Sequence, residues 1–214
     1  MKKAAIIISP NYKDHARRYL RDCLESLRIQ DWRGEMKIFI TDNQSTESSL
    51  AYLTETAPEV EIIRNERNDG FAKGNNDALR LALRQGYDYL VLFNMDTIVE
   101  PDCISHLVKT AESDGTIGAV QARIMLWPDK NRINSLGNVI HFLGFGYCEG
   151  YGKDFSSFNL QSAGNICCPS GAAVLYKKEV LETTGLFDEE FEMYNEDHDL
   201  GWRIWLAGRR CVLA

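Results

Sequence analysis

Short apolar runs of strand character alternate with segments of helical period through the first 120 residues, and this alternation restricts the fold more than any single motif. The runs at 4–8, 36–41, 60–64, 89–93 and 118–122 are largely apolar, as expected of strands covered on both faces. Between them Ala16, Leu20, Cys23, Leu24 and Leu27 recur every three or four residues, and Ala78, Leu79, Ala82 and Leu83 do the same before Gly86, which supplies a helix stop. Pro101 suits the first turn of a further helix. The order implies an α/β fold with a mixed, mainly parallel sheet flanked by helices.

After about Gly118 the pattern changes. Residues 134–158 read NSLGNVIHFLGFGYCEGYGKDFSSF, with no helical repeat, and predict a β-rich or mobile flap that is either loop filler or a cover over substrate. Order returns in SGAAVLYKKEVLETTGLFDEEF, a strand and then a short helix, and a last helix is expected over 196–207. The chain stops at CVLA, which reads as the opening of another strand and suggests truncation at the C-terminus. One domain of 1–214 is expected, with a ligand-binding part at about 1–120 and a second part at about 121–214.

A formal charge of −7 argues against nucleic acid as the main partner, because phosphate neutralisation needs clustered Lys and Arg. The N-terminal apolar run is too short for a signal segment, and no apolar stretch of about 18 residues occurs, so membrane association would be peripheral. The six cysteines show no C-x-x-C and no metal-ligand spacing. They read as reduced cytoplasmic thiols, and the pair Cys167-Cys168 as core packing.

In a parallel α/β sheet, ligands collect beyond the carboxyl ends of strands. Those ends carry Ser9-Pro10-Asn11, Asp42-Asn43, 65–69 and Asn94-Met95-Asp96. Turn and cap chemistry explains each one singly; carboxylates at two strand ends favour a shared site. The stretch NDGFAKGNNDAL follows a strand and opens a helix, where backbone N–H groups and Lys73 could meet a diphosphate, although its glycines match neither the dinucleotide nor the P-loop spacing. With Asn195 as N-cap, Asp197 falls at the leading edge of the last helix's buried face. Asp199 pairs by spacing with Arg203. Asp197 there is either a desolvated base or a plain complement to the helix dipole.

The segments AIIISPNY, FITDNQS, NDGFAKGNNDAL, LFNMDTIVEPD and SGAAVLYKKEVLETTGLFDEEFEMYNEDHDLGWRIWLAG together resemble, in order, the motifs of family 2 inverting glycosyltransferases of the GT-A fold, especially the bacterial rhamnosyltransferase-like group. The resemblance implies transfer of a sugar from a nucleotide-diphosphate donor to a saccharide or lipid-linked saccharide, in cell-surface polysaccharide synthesis. It implies that Ser9, Pro10, Asn11 and Asp42 line the nucleotide pocket, and that Asn68, Gly70, Lys73, Asn75 and Asn76 border the nucleoside and diphosphate. Asn94 and Asp96 stand in the place of the family's Asp-x-Asp motif, with Asp96 on a divalent cation, Mg or Mn. Asp197 is implied as the base that deprotonates the acceptor, with Glu196 as the second candidate.

Asn94 departs from the family's first acidic residue, and residues 1–214 do not include the downstream His and C-terminal region usual in the family. His15, His106 and His141 have no ligand spacing. His198 lies inside the acidic motif, and its helical position is expected to turn it away from Asp197. The implied location is the cytoplasm, with the inner membrane face left open. Two alternatives are kept: a sugar-1-phosphate nucleotidyltransferase, which needs a Gly-rich basic loop where Ser9-Pro10-Asn11-Tyr12 stands, and a remnant that binds nucleotide without transferring anything.

Overall fold

Every expected strand of the first half forms in the computed structural model, which describes residues 1–158 and 164–214. The chain runs through β1 (Lys3–Asn11), a wide helical turn (Ala16–Leu20), α1 (Arg21–Arg28), β2 (Glu35–Asn43), α2 (Glu47–Thr56) and β3 (Glu61–Asn65). It continues through α3 (Gly70–Arg84), β4 (Tyr89–Phe93), α4 (Cys103–Glu112) and β5 (Ile117–Gln121). Alternate residues of β1 face opposite ways, as the two-residue period of a strand requires. Ile6 and Ile8 pack with Leu20, Leu24, Leu27 and Ile104 on one face of the sheet, and Ala5 and Ile7 with Leu79, Ala82, Leu200 and Ile204 on the other.

Helix α2 has no counterpart in the periodicity analysis. Its sequence ESSLAYLTET buries only Ser49 and Leu53, so its apolar signal is weak. What starts it is local: the Thr46 hydroxyl accepts from the Ser49 N–H at 3.2 Å, satisfying one of the free donors of the first turn.

The second half supplies short pieces. β6 (Ile124–Met125) pairs with β7 (Ile133–Ser135) and β8 (Asn138–Ile140) with β9 (Gly146–Cys148), both antiparallel; the 134–158 stretch is thus β-rich, as expected. Then follow β10 (Ala173–Lys177), α5 (Lys178–Thr184), α6 (Glu196–Leu206) and β11 (Arg210–Leu213), so Cys211, Val212 and Leu213 of CVLA do fall in a strand. The main sheet has the order β11-β5-β10-β4-β1-β2-β3. Only β10 runs against its neighbours.

This order fixes where a site can be. Strand order reverses between β1 and β4, and ligands bind outside the carboxyl ends at such a reversal. Because β10 is antiparallel, its beginning meets the ends of β1, β2, β4 and β5 at the same edge. All six cysteines are free, and Cys168 packs against Gly201 in the core. Among the described residues no helix is long and apolar enough to cross a membrane.

Candidate active site

A row of contacts runs along that edge from β2 to α6. At the β1–β2 boundary Asn11 lies in register with Asp42 and donates to its Oδ1 at 2.8 Å. Both are buried; the Ser45 hydroxyl also donates to Asp42. One strand over, the Ser9 hydroxyl accepts from the Met95 N–H at 2.9 Å, closing the β1–β4 crevice. Asn94 then donates its backbone N–H to the Ala172 carbonyl at 2.9 Å. The preceding residue, Gly171, donates its own N–H to Asp197 Oδ2 at 3.1 Å. Asp42, Asn94-Met95-Asp96 and Asp197 therefore lie along one edge, linked by side-chain and backbone contacts of neighbouring residues.

The end of β4 offers two oxygens that could hold a cation. Asp96 is exposed, while the side-chain oxygen of Asn94, two residues before, is buried with no hydrogen-bond partner among the described residues. No cluster of three or more His, Cys, Asp or Glu suited to a metal occurs among the described residues. One carboxylate and one free amide oxygen fit a hard divalent ion that takes its other oxygens from phosphate and water. Asp96 also faces His15, whose pKa is lowered by burial while the Asp96 charge works the other way. A cleft of about 1160 Å³ adjoins Asn94 and Asp96 and extends past Ile124, Trp127 and Phe155.

The α3 N-terminus differs from the diphosphate cradle expected there. The N–H groups of Phe71 and Ala72 donate to the Glu192 carbonyl at 2.8 and 3.0 Å, so they are already capped. Gly70, at φ +81°, lies so close that a Cβ on it would stand 2.7 Å from that carbonyl oxygen. The Lys73 ammonium lies 2.8 Å from Asp77 and 3.7 Å from Asp69. Asn75 is buried and donates to the Phe71 carbonyl. Asn76, also buried, clamps the backbone of Phe187 on both sides of its amide. Asn68 accepts from the Gly70 N–H at 3.2 Å and stays exposed, and Pro10 packs over Gly74.

At the other end of the row, α6 starts at Asn195 in the left-handed region (φ 70°) with no side-chain cap, in place of the expected side-chain N-cap. Asp199 and Arg203 pair as the spacing predicts, at 2.6 Å. Among the described residues Asp197 has four donors: Asn138 Nδ2 at 2.9 Å, the Gly171 N–H, the His198 N–H at 2.8 Å and His198 Nδ1 at 2.9 Å. The last corrects the expectation that His198 points away. Consecutive helical residues diverge by about 100°, but here the Asp197 carboxylate bends back over its own neighbour, and the ring is wedged against Gly146.

Glu196 is the opposite case. It is 5% exposed, its Oε2 has no partner among the described residues, and burial together with the Asp197 charge pushes it up to about 7. Sequence reasoning missed Asn138 and the role of His198. The only signal for either was their presence in the flap and in the acidic motif.

Comparison with known proteins bears on the family and the fold. The family model described as Glycosyl transferase family 2 matches residues 6–185. A curated relative, the poly-beta-1,6-N-acetyl-D-glucosamine synthase of Staphylococcus aureus (strain COL), is 25% identical over 192 residues, covering 89% of this chain and 43% of that protein. The chain thus spans less than half the length of the curated relatives it matches. Among solved structures, S. aureus TarS 1-349 in complex with UDP-GlcNAc superposes with a TM-score of 0.69 at 16% identity, covering all of this chain and 56% of the other. GalNAc-T7 with UDP, GalNAc and Mn²⁺ gives 0.75 at 14% identity, covering all of this chain and 42% of the other.

Proposed function

Because the chain belongs to glycosyl transferase family 2, we propose that it transfers a sugar, with inversion and with the help of a divalent cation, from a nucleotide-diphosphate sugar to a saccharide or lipid-linked saccharide acceptor. The product would be a cell-surface polysaccharide, made in the cytoplasm at the inner membrane face. One observation carries this reading: the row Asp42–Asn11, Ser9–Met95, Asn94–Ala172, Gly171–Asp197 supports a donor pocket and a base on the same sheet edge.

In this reading Ser9, Pro10, Asn11 and Asp42 hold the nucleoside, with Asn68 and Gly70 at its border. Asp96, with the Asn94 oxygen, would hold Mg²⁺ or Mn²⁺, and such an ion offsets charge on the leaving diphosphate. Asp197 takes the proton of the acceptor hydroxyl as that oxygen attacks the anomeric carbon from the face opposite the leaving group. Glu196 is the second carboxylate at that point. The narrower rhamnosyltransferase-like assignment rests on the order and wording of the sequence motifs, whereas the named relatives make N-acetylglucosamine donors the first to try.

Thermal unfolding tests the donor site and turnover tests the base. UDP, dTDP or GDP at about a hundred times its dissociation constant should stabilise the fold by roughly 2.7 kcal/mol, but only with Mn²⁺ and not in Asp96→Ala. Asp197→Asn should keep that shift while releasing nucleoside diphosphate about 10²- to 10⁴-fold more slowly. A shift indifferent to metal and to Asp96, or full turnover by Asp197→Asn, would defeat the reading.

A further inference from the structure

We propose that Asn138 and His198 are positioning residues for Asp197, two side-chain donors from different elements that fix the carboxylate's orientation before acceptor arrives. The inference rests on the glycosyltransferase reading above and adds residues to its catalytic end. Asn138 is 4% exposed. Its backbone is bonded on both sides to Cys168, at 2.8 and 3.2 Å, so β8 cannot slide without breaking that bridge. The Cys148 thiol sits 3.5 Å from its Oδ1. With the oxygen of the amide facing that thiol, Nδ2 is the end that faces Asp197.

His198 is held as firmly. Its Nε2 is buried with no partner among the described residues, and a Cβ at Gly146 would lie 2.8 Å from its Cε1. The ring therefore rests on a glycine, with Nδ1 as its one hydrogen-bonded nitrogen. In the neutral ring the proton then sits on Nδ1 and points at Asp197 Oδ1. Together with the two backbone N–H groups, these side chains occupy both carboxylate oxygens. Removing either leaves the oxygen it bonds with a backbone N–H alone, so the carboxylate is aimed less tightly, and a misdirected base loses rate without loosening the donor.

The experiment compares nucleoside diphosphate release from UDP-GlcNAc, dTDP-rhamnose and GDP-mannose with Mn²⁺. It uses the unchanged chain, Asn138→Asp, Asn138→Ala, His198→Gln, His198→Asn and Asp197→Asn, each with its unfolding midpoint. The expected result is a kcat lowered about tenfold or more in Asn138→Asp, Asn138→Ala and His198→Gln, with donor KM within about twofold. His198→Asn should regain most of the rate, since its amide nitrogen can stand where Nδ1 stood. ¹⁵N spectra of the His198 ring should place its proton on Nδ1.

Normal kcat in the Asn138 and His198→Gln variants beside an inactive Asp197→Asn overturns this inference alone. Equal loss in His198→Gln and His198→Asn, a change in KM only, or a ring proton on Nε2 overturns it too. A silent unchanged chain, or an active Asp197→Asn, instead counts against the glycosyltransferase reading itself.

Discussion

The two ends of the site are held by different means. On the β1–β2–β4 side the polar residues are placed by sheet register: Asn11 faces Asp42 because β1 and β2 pair in parallel, and Ser9 meets Met95 because β1 and β4 do. On the α6 side Asp197 is fixed by side-chain and turn contacts from 59 and 26 residues away in sequence. Register is maintained by many backbone bonds at once, whereas the tie from Asn138 depends on one side chain and the tie from Gly171 on a single backbone N–H. A point change should therefore shift the donor side only by colliding with the sheet, and the catalytic side by removing a single group.

Glu196 gives the largest expected effect on stability. Its folded value of about 7 lies above the ordinary 4.5, so between those pH values the unfolded chain gives up a proton that the folded chain keeps. Its contribution to stability is complete below about pH 4.5 and is lost as pH rises through about 7. At 1.36 kcal/mol per unit the loss is on the order of 3 kcal/mol. Glu196→Gln should match the unchanged chain in urea unfolding near pH 4.5 and exceed it at pH 8. A variant less stable at pH 8 would mean that the buried Oε2 has a stabilising partner after all, and that both ends of the site are equally well bonded.

A smaller effect is expected from Gly74→Ala, on the donor side. The added carbon would collide with the Pro10 ring and stand 2.9 Å from Asn43 Nδ2, and overpacking of this kind costs about 1–3 kcal/mol. Gly115, where an added Cβ would meet nothing within 4 Å among the described residues, is the control. A drop of several degrees at Gly74 and none at Gly115, read by calorimetry, supports a donor edge set by tight packing. Equal midpoints would show that the Pro10 turn is free to move, and the contrast between the two ends would weaken.

That contrast also explains what the sequence disclosed. Residues 4–8 and 89–93 are legible because strands buried on both faces are apolar throughout; once their ends are fixed, Ser9, Asp42 and Asp96 stand out as polar residues at one edge. Asp197 is legible on α6 because Leu200 and Ile204 define its buried face. Helix α2 is not, since Glu47, Ser48 and Ser49 fill its first turn and few apolar residues mark a buried face. Asn138 and His198 are not either: the first reaches Asp197 across a separation that no local period encodes, and the second by a bend of two adjacent side chains that a helical wheel cannot represent. The chemical roles came from the family resemblance, with the geometry supplying who touches whom.

Lys73 should show the smallest effect, and it decides which side of the comparison α3 belongs to. The sequence suggests a cation aimed at a diphosphate, yet its ammonium is 2.8 Å from Asp77, and that hydrogen bond is the chief reason its pKa is raised. The side chain is about a third exposed, and such partly solvated pairs contribute roughly 0–1 kcal/mol. Lys73→Gln should therefore lower the unfolding midpoint by at most a degree or two and change UDP affinity less than threefold by calorimetric titration. A tenfold loss would mean that Lys73 leaves Asp77 when diphosphate arrives. The α3 N-terminus would then be a mobile contributor to the donor site, and the donor side would depend, like the catalytic side, on a single long side chain.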